Sequence, residues 1–196
     1  ASIPLIFALQ QISEGILWTT FTSANAVLQT FTTYAFLFFA QIVWPVWVPF
    51  ATLRIEKNKK RIAALKILTG IGALVSVYLA YCLFSFHVQA RVTGLHIAYE
   101  QDYPISLSRS GGVLYVLSTV APSFISGLKR MWVLGTAILV SYFLTVLFYN
   151  DYIVSVWCFF ASVISIAIYF VLLENNRVNK KQELRSAWAL ENESRA

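Results

Sequence analysis

"IPLIFALQQISEGILWTTF", residues 3–21, is long and apolar enough for a membrane-crossing helix, yet its middle holds two Gln, a Ser and a Glu. A helix needs about 20 residues to cross about 30 Å of hydrocarbon. With successive side chains rotated by about 100°, Phe7, Gln10, Gln11, Glu14, Trp18 and Thr22 fall on one side, while Leu5, Leu9, Ile12 and Ile16 lie elsewhere. One side is therefore polar and aromatic, suited to face other helices. An acid at the bilayer centre costs roughly 2.5 to 3.5 kcal/mol on insertion scales, so Glu14 should face protein or water and be protonated or paired.

Composition assigns the whole chain to the class that this stretch suggests. Hydrophobic residues make up 58% of it and charged residues 12%, with a mean hydropathy of +0.67; soluble domains are about half apolar and about a quarter charged. The expected fold is an all-α polytopic transmembrane helix bundle. Six spans are read, at about 3–22, 27–50, 63–86, 111–128, 131–149 and 152–173. Residues 1–174 form the bundle and 175–196 a cytosolic helical tail, whose Val178, Leu184 and Trp188 are too sparse for a strong amphipathic face.

Lys and Arg set the orientation, because short loops rich in them stay in the cytoplasm. Arg54, Lys57, Lys59, Lys60, Arg61 and Lys66 flank the second connection, Lys129 and Arg130 form the fourth, and Arg177, Lys180, Lys181 and Arg185 follow the last span. The alternate connections hold only Arg91 and Arg109 and are read as outward. Six spans then put both ends of this chain inside, C-terminus cytoplasmic. The net charge of +6 lines one face of the lipid bilayer, where anionic headgroups attract it. There is no compact basic domain to hold nucleic acid.

The outward segment "FHVQARVTGLHIAYEQDYP" alternates apolar and polar residues on both sides of "TG", the pattern of a β-hairpin. A small outer hairpin at 86–102 is expected over the helix ends. It carries His87, His96, Glu100 and Asp102. Imidazole and carboxylate are ordinary zinc ligands, but this spacing matches no compact metal signature, so these four are weak metal candidates and read as loop polars. Cys82 and Cys158 fall within spans and read as small apolar residues, not as a disulfide framework.

Several membrane chemistries lack their residues. A retinal Schiff base needs a mid-span Lys and a bis-histidine haem needs paired intramembrane His; the spans contain neither. Nor do they contain the His and Asp clusters of intramembrane zinc hydrolases. No spacing pairs a Ser with a His for acyl transfer.

Small and hydroxyl residues mark the packing faces: Thr69, Gly72, Ala73, Ser76 and Ala80 in the third span, and Ser155, Cys158, Ser162 and Ser165 in the last. Helices in lipid associate through such residues. Pro45 and Pro49 predict a kink in the second span. No Lys or Arg lies level with Glu14, so its partners should be neutral: Gln10, Gln11, Gln41, and hydroxyls such as Tyr115 or Ser118. The candidate ligand- or proton-binding set is Glu14, Gln10, Gln11, Gln41, Trp18, Tyr115 and Ser118. The structural alternative is a protonated carboxyl that joins helices.

The blocks "IPLIFALQQISEGILW" (3–18), "WPVWVPF" (44–50), "LYVLSTVAPSFIS" (114–126) and "SVWCFFASVIS" (155–165) resemble, in this order, an uncharacterised family of small bacterial multi-pass membrane proteins, a domain of unknown function. The resemblance implies the bacterial cytoplasmic membrane. It also implies an additional amino-terminal segment with Met-Cys-Phe-Ser before a further apolar stretch, and hence seven helices in the full protein. It supplies no activity, and the cofactor is unknown.

Three functions fit these observations. The first is a non-enzymatic sensor or accessory subunit of a membrane complex, with other membrane subunits, a lipid or a pigment as partner and a polar pocket around Glu14. The second is a proton-coupled small-molecule transporter using Glu14, although no internal repeat supports it. The third is an intramembrane lipid-modifying enzyme, for which a nucleophile or metal is missing.

Overall fold

The computed structural model describes residues 2–23, 25–128, 131–166 and 169. Helix α1 covers Ser2–Ser23. Helix α2 (Ala26–Leu37) passes through a π-helical stretch (Phe38–Val43) into α3 (Trp44–Ile55). Asn25 caps the start of α2 by accepting the Leu28 N–H, and Asn58 caps α4 (Lys59–Ser85) by accepting from Lys60 and Arg61. Such caps satisfy donors that have no partner in the first turn. Strands β1 (Val88–Thr93) and β2 (His96–Gln101) follow, then α5 (Ile105–Ile125), α6 (Met131–Phe148), a single 3₁₀ turn (Asn150–Tyr152) and α7 (Ile153–Ile166).

Among the described residues three helices are long and apolar enough to cross a membrane: Ala26–Ile55, Lys59–Ser85 and Met131–Phe148. Six were expected from the sequence, and the other three fall short for different reasons. Helix α1 has the length, with 22 residues, but its Gln, Ser and Glu lower its hydropathy. The apolar part of α5 is Gly111–Ile125, and α7 is described only through Ile166. The tail at 175–196 lies outside the described residues.

Burial departs from that of a water-soluble bundle: polar side chains share the interior with apolar ones, and many large aliphatic ones face outward. Gln10, Glu14, Thr20, Thr33, Ser118 and Thr145 are buried, while Val27, Leu74, Val77 and Leu147 are 70% exposed or more. Apolar surface on this scale marks contact with an apolar phase or a partner, and polar side chains between the helices are what lipid-embedded packing uses. The arrangement is consistent with a membrane protein.

Prolines and glycine determine how α3 meets α4. The Trp44 N–H reaches back five residues to the Phe39 carbonyl. In that register the Ala40 carbonyl would bond residue 45, which is Pro45 and has no N–H. The Tyr115 hydroxyl donates to Ala40 instead, and Ser76 Oγ donates to the Ile42 carbonyl at 2.7 Å. Pro49 lies inside α3 and likewise leaves the Pro45 carbonyl without its helical donor. A Cβ on Gly72 would overlap that carbonyl; only a glycine lets α4 approach there. The expected break thus takes the form of a π-helical register shift just before Pro45.

The hairpin is present, with its turn one residue later than "TG" suggests. Thr93 pairs with His96, so Gly94 and Leu95 form a two-residue loop. Gly94 has φ +64°, the sign such loops need at their first position. Ala90 and Ile97 bury one face of the hairpin against Leu17 and Phe21 of α1. Tyr99 stacks on Phe36 of α2, centroids 4.9 Å apart. The hairpin therefore covers one end of the α1–α2 pair, directly over the polar side of α1.

Candidate functional site

The polar stripe of α1 divides into two levels. At the first, Gln10 is fully buried and its Oε1 accepts the Trp44 indole N–H at 2.6 Å. Trp44 also stacks on Phe7, with ring centroids 3.9 Å apart, so one turn of α1 holds this indole on both its edge and its face. At the second level, one turn nearer the hairpin, Glu14 is 6% exposed. Its Oε1 accepts the Tyr99 hydroxyl at 3.2 Å, and the Ser155 hydroxyl of α7 is a second donor. Burial first, and then the Glu14 carboxyl, push the Tyr99 phenol well above the ordinary tyrosine range, so Tyr99 remains a donor at any physiological pH.

Glu14 forms part of the wall of an open cavity of about 450 Å³. Gln11, Gly15 and Trp18 of α1, Leu95 and His96 of the hairpin loop, Tyr149, and Ser155, Phe159 and Phe160 of α7 line it. Its volume is within the range of small-molecule sites, roughly 300 to 1,000 Å³. The Gln11 Nε2 is buried and has no partner among the described residues. The His96 ring packs against Tyr149 and Tyr152, centroids 5.2 and 5.0 Å away.

A second cavity, of about 220 Å³, reaches from the opposite end of the bundle. It runs from Ile3, Ile55 and Leu128 up to Trp44, Tyr115 and Trp157. Both cavities use α1 and α7: Trp157 and Cys158 line this one, and Val156 and Phe159 the other. The Trp157 Nε1 is also buried without a partner among the described residues.

The residues singled out from sequence are thus distributed over four places. Glu14, Gln11 and Trp18 share the larger cavity, and Gln10 is held one turn away by Trp44. Gln41 belongs to a separate network, in which its Nε2 donates to Gln101 Oε1 at 2.8 Å and its Oε1 accepts from the Tyr103 hydroxyl at 3.0 Å. Tyr115 is engaged by Ala40, and Ser118 donates to its own helix at the Tyr115 carbonyl, 2.9 Å. The partners of Glu14 are neutral, as the sequence suggested, but they are Tyr99 and Ser155 in place of Gln41, Tyr115 or Ser118.

The four weak metal candidates are not gathered. Glu100 pairs with Arg91 at 3.2 Å, His87 gives its carbonyl to the Asp102 N–H, and His96 faces the two tyrosines. Among the described residues no group of three or more His, Cys, Asp or Glu could hold a metal ion.

Trp44, Tyr99 and Ser155 were not singled out as site residues from sequence. Tyr99 was legible only as one apolar position of a strand, and nothing in its spacing gives the packing of the hairpin over α1. Glu56 was missed as well. Its carboxylate accepts from Lys57 N, Asn58 N and Gly127 N and so joins the α3–α4 turn to the α5–α6 turn. The N–H groups of Asn58 and Gly127 hold this carboxyl below the usual range.

The fold and these cavities define a helical, membrane-compatible protein with a buried acid beside a small-molecule-sized cavity. Residues 1–184 match the model of a family of unknown function, DUF6629, and the chain belongs to it. No curated protein and no solved structure matches the chain.

Proposed function

We propose that this chain is a multi-pass protein of the bacterial cytoplasmic membrane, with six spans, the hairpin outside and the C-terminus inside. It binds a small molecule in the cavity at Glu14 and acts as a non-enzymatic sensor or as an accessory subunit of a membrane complex. The observation that carries this reading is that cavity, where a buried carboxyl and an unpartnered amide share a wall with four aromatic side chains. The polar side chains buried between the helices and the exposed aliphatic ones support the membrane setting.

Native mass spectrometry of the full chain from its own membrane tests the reading. A bound small molecule or partner subunit is expected, and the small molecule should be lost in Gly15→Leu, because a Cβ at Gly15 meets nothing within 4 Å and a leucine there would fill the cavity. A lone, ligand-free protein would overturn it.

A second reading, a proton-coupled transporter, draws on the cavity at the opposite end. Both cavities take wall residues from α1 and α7, so a pathway through the bundle would run between these two helices. Uptake into vesicles that depends on a proton gradient and disappears in Glu14→Gln would favour it.

A further inference from the structure

We infer that the cavity at Glu14 is built for an organic cation, a quaternary or primary ammonium on a small apolar body; this deepens the binding reading above and depends on it. A carboxyl that is 6% exposed needs a counter-charge or a proton, because an uncompensated buried ion is expensive. Neither donor, Tyr99 or Ser155, carries charge, and among the described residues no Lys or Arg lines the cavity. Arg91, the basic residue of the hairpin, is paired with Glu100. The imidazole of His96 is also in the wall, but it lies between the rings of Tyr149 and Tyr152. A bound cation would supply the charge that the fold leaves out.

The other walls suit the same ligand. Trp18, Tyr149, Phe159 and Phe160 line the space, and aromatic faces attract ammonium groups, tryptophan most strongly. Trp18 is fixed edge-on against Phe21, centroids 6.4 Å apart, which leaves its ring held beside Gly15 and its absent side chain. A carboxyl and four aromatic side chains on the wall of one cavity are the groups that a small organic cation such as choline would use.

The test uses the full chain in lipid nanodiscs, titrated calorimetrically with choline and with its neutral isostere 3,3-dimethyl-1-butanol. Choline is expected to bind at least tenfold more tightly. Glu14→Gln should abolish that preference, and Trp18→Leu should weaken choline at least threefold more than it weakens the alcohol; Trp18 is partly exposed, so this variant keeps the test available if Glu14→Gln does not fold. Gly15→Leu should remove binding of both. Equal binding of the two probes, both lost in Gly15→Leu, would overturn the cation and leave the small-molecule site standing. Failure of choline to bind would overturn the cation inference, and binding unaffected by Gly15→Leu would overturn the site itself.

Discussion

Glu14 and Glu56 are two acids in opposite circumstances. Glu56 sits at the surface between turns and accepts from three backbone N–H groups. Glu14 sits inside the bundle, accepts from two side-chain hydroxyls and faces open space. Burial alone would label Glu14 the structural residue and Glu56 the free one, but the partners reverse that. The surface acid is committed to holding two turns together, whereas the buried acid has bonding capacity left and a cavity in which to use it. Unused valence, more than depth, distinguishes a site from a strut.

The comparison is sharpest where Glu14 is changed. Glu14→Gln keeps the shape and can still accept the Tyr99 hydroxyl, so ligand selectivity should fall at least tenfold while thermal stability changes little; calorimetric titration beside a melting curve reads both. A large loss of stability with selectivity intact would make Glu14 a strut after all.

Tyr99→Phe removes the donor but leaves the ring stacked on Phe36. The expected cost is about 1 kcal/mol, the net value of a typical intramolecular hydrogen bond, measured as a melting shift of about 2–4 °C for a chain of this size.

Glu56→Gln should lower the melting temperature by a few degrees and leave ligand binding unchanged. Its pH dependence has a defined sign. The folded carboxyl titrates below the ordinary value of 4.5, so the unfolded chain takes up its proton first as pH falls. The stabilisation is therefore complete above about 4.5 and is lost as pH drops through the folded value. Melting curves of the wild type and Glu56→Gln should converge on that acid limb; curves that stay parallel would remove Glu56 from its place as a tether.

The smallest effect expected on stability is that of Gly15→Leu, within about 0.5 kcal/mol as for most substitutions at open positions. The same change at Gly72 would be severe, because its Cβ would overlap the Pro45 backbone and forced overpacking costs about 1–3 kcal/mol. Thermal melts of the two variants side by side separate an open glycine from a packing glycine.

Much of this was legible in the chain because period and composition carry it. The polar side of α1, the long helices at 26–55, 59–85 and 131–148, and the hairpin all follow from where apolar residues recur. Which elements touch is not written in period. The Tyr99 hydroxyl reaches Glu14 across 85 positions of sequence, and Trp44 reaches Gln10 across 34; both contacts depend on how helices rotate against each other. The π-helical turn shows the same limit. Pro45 announced a break, but the shift in register, and the Tyr115 hydroxyl that answers it, need the neighbouring helix. Hydropathy was also a partial guide, since the Gln and Glu residues that make α1 a candidate site are the ones that lower its score as a span.

The most direct measurement is carbodiimide labelling of the full chain in lipid, with the modified residue located by mass spectrometry. A hydrophobic carbodiimide should label Glu14 from the cavity, and labelling should fall when Gly15→Leu fills that space. Absence of label at Glu14, or equal labelling in Gly15→Leu, would contradict an accessible site around this carboxyl.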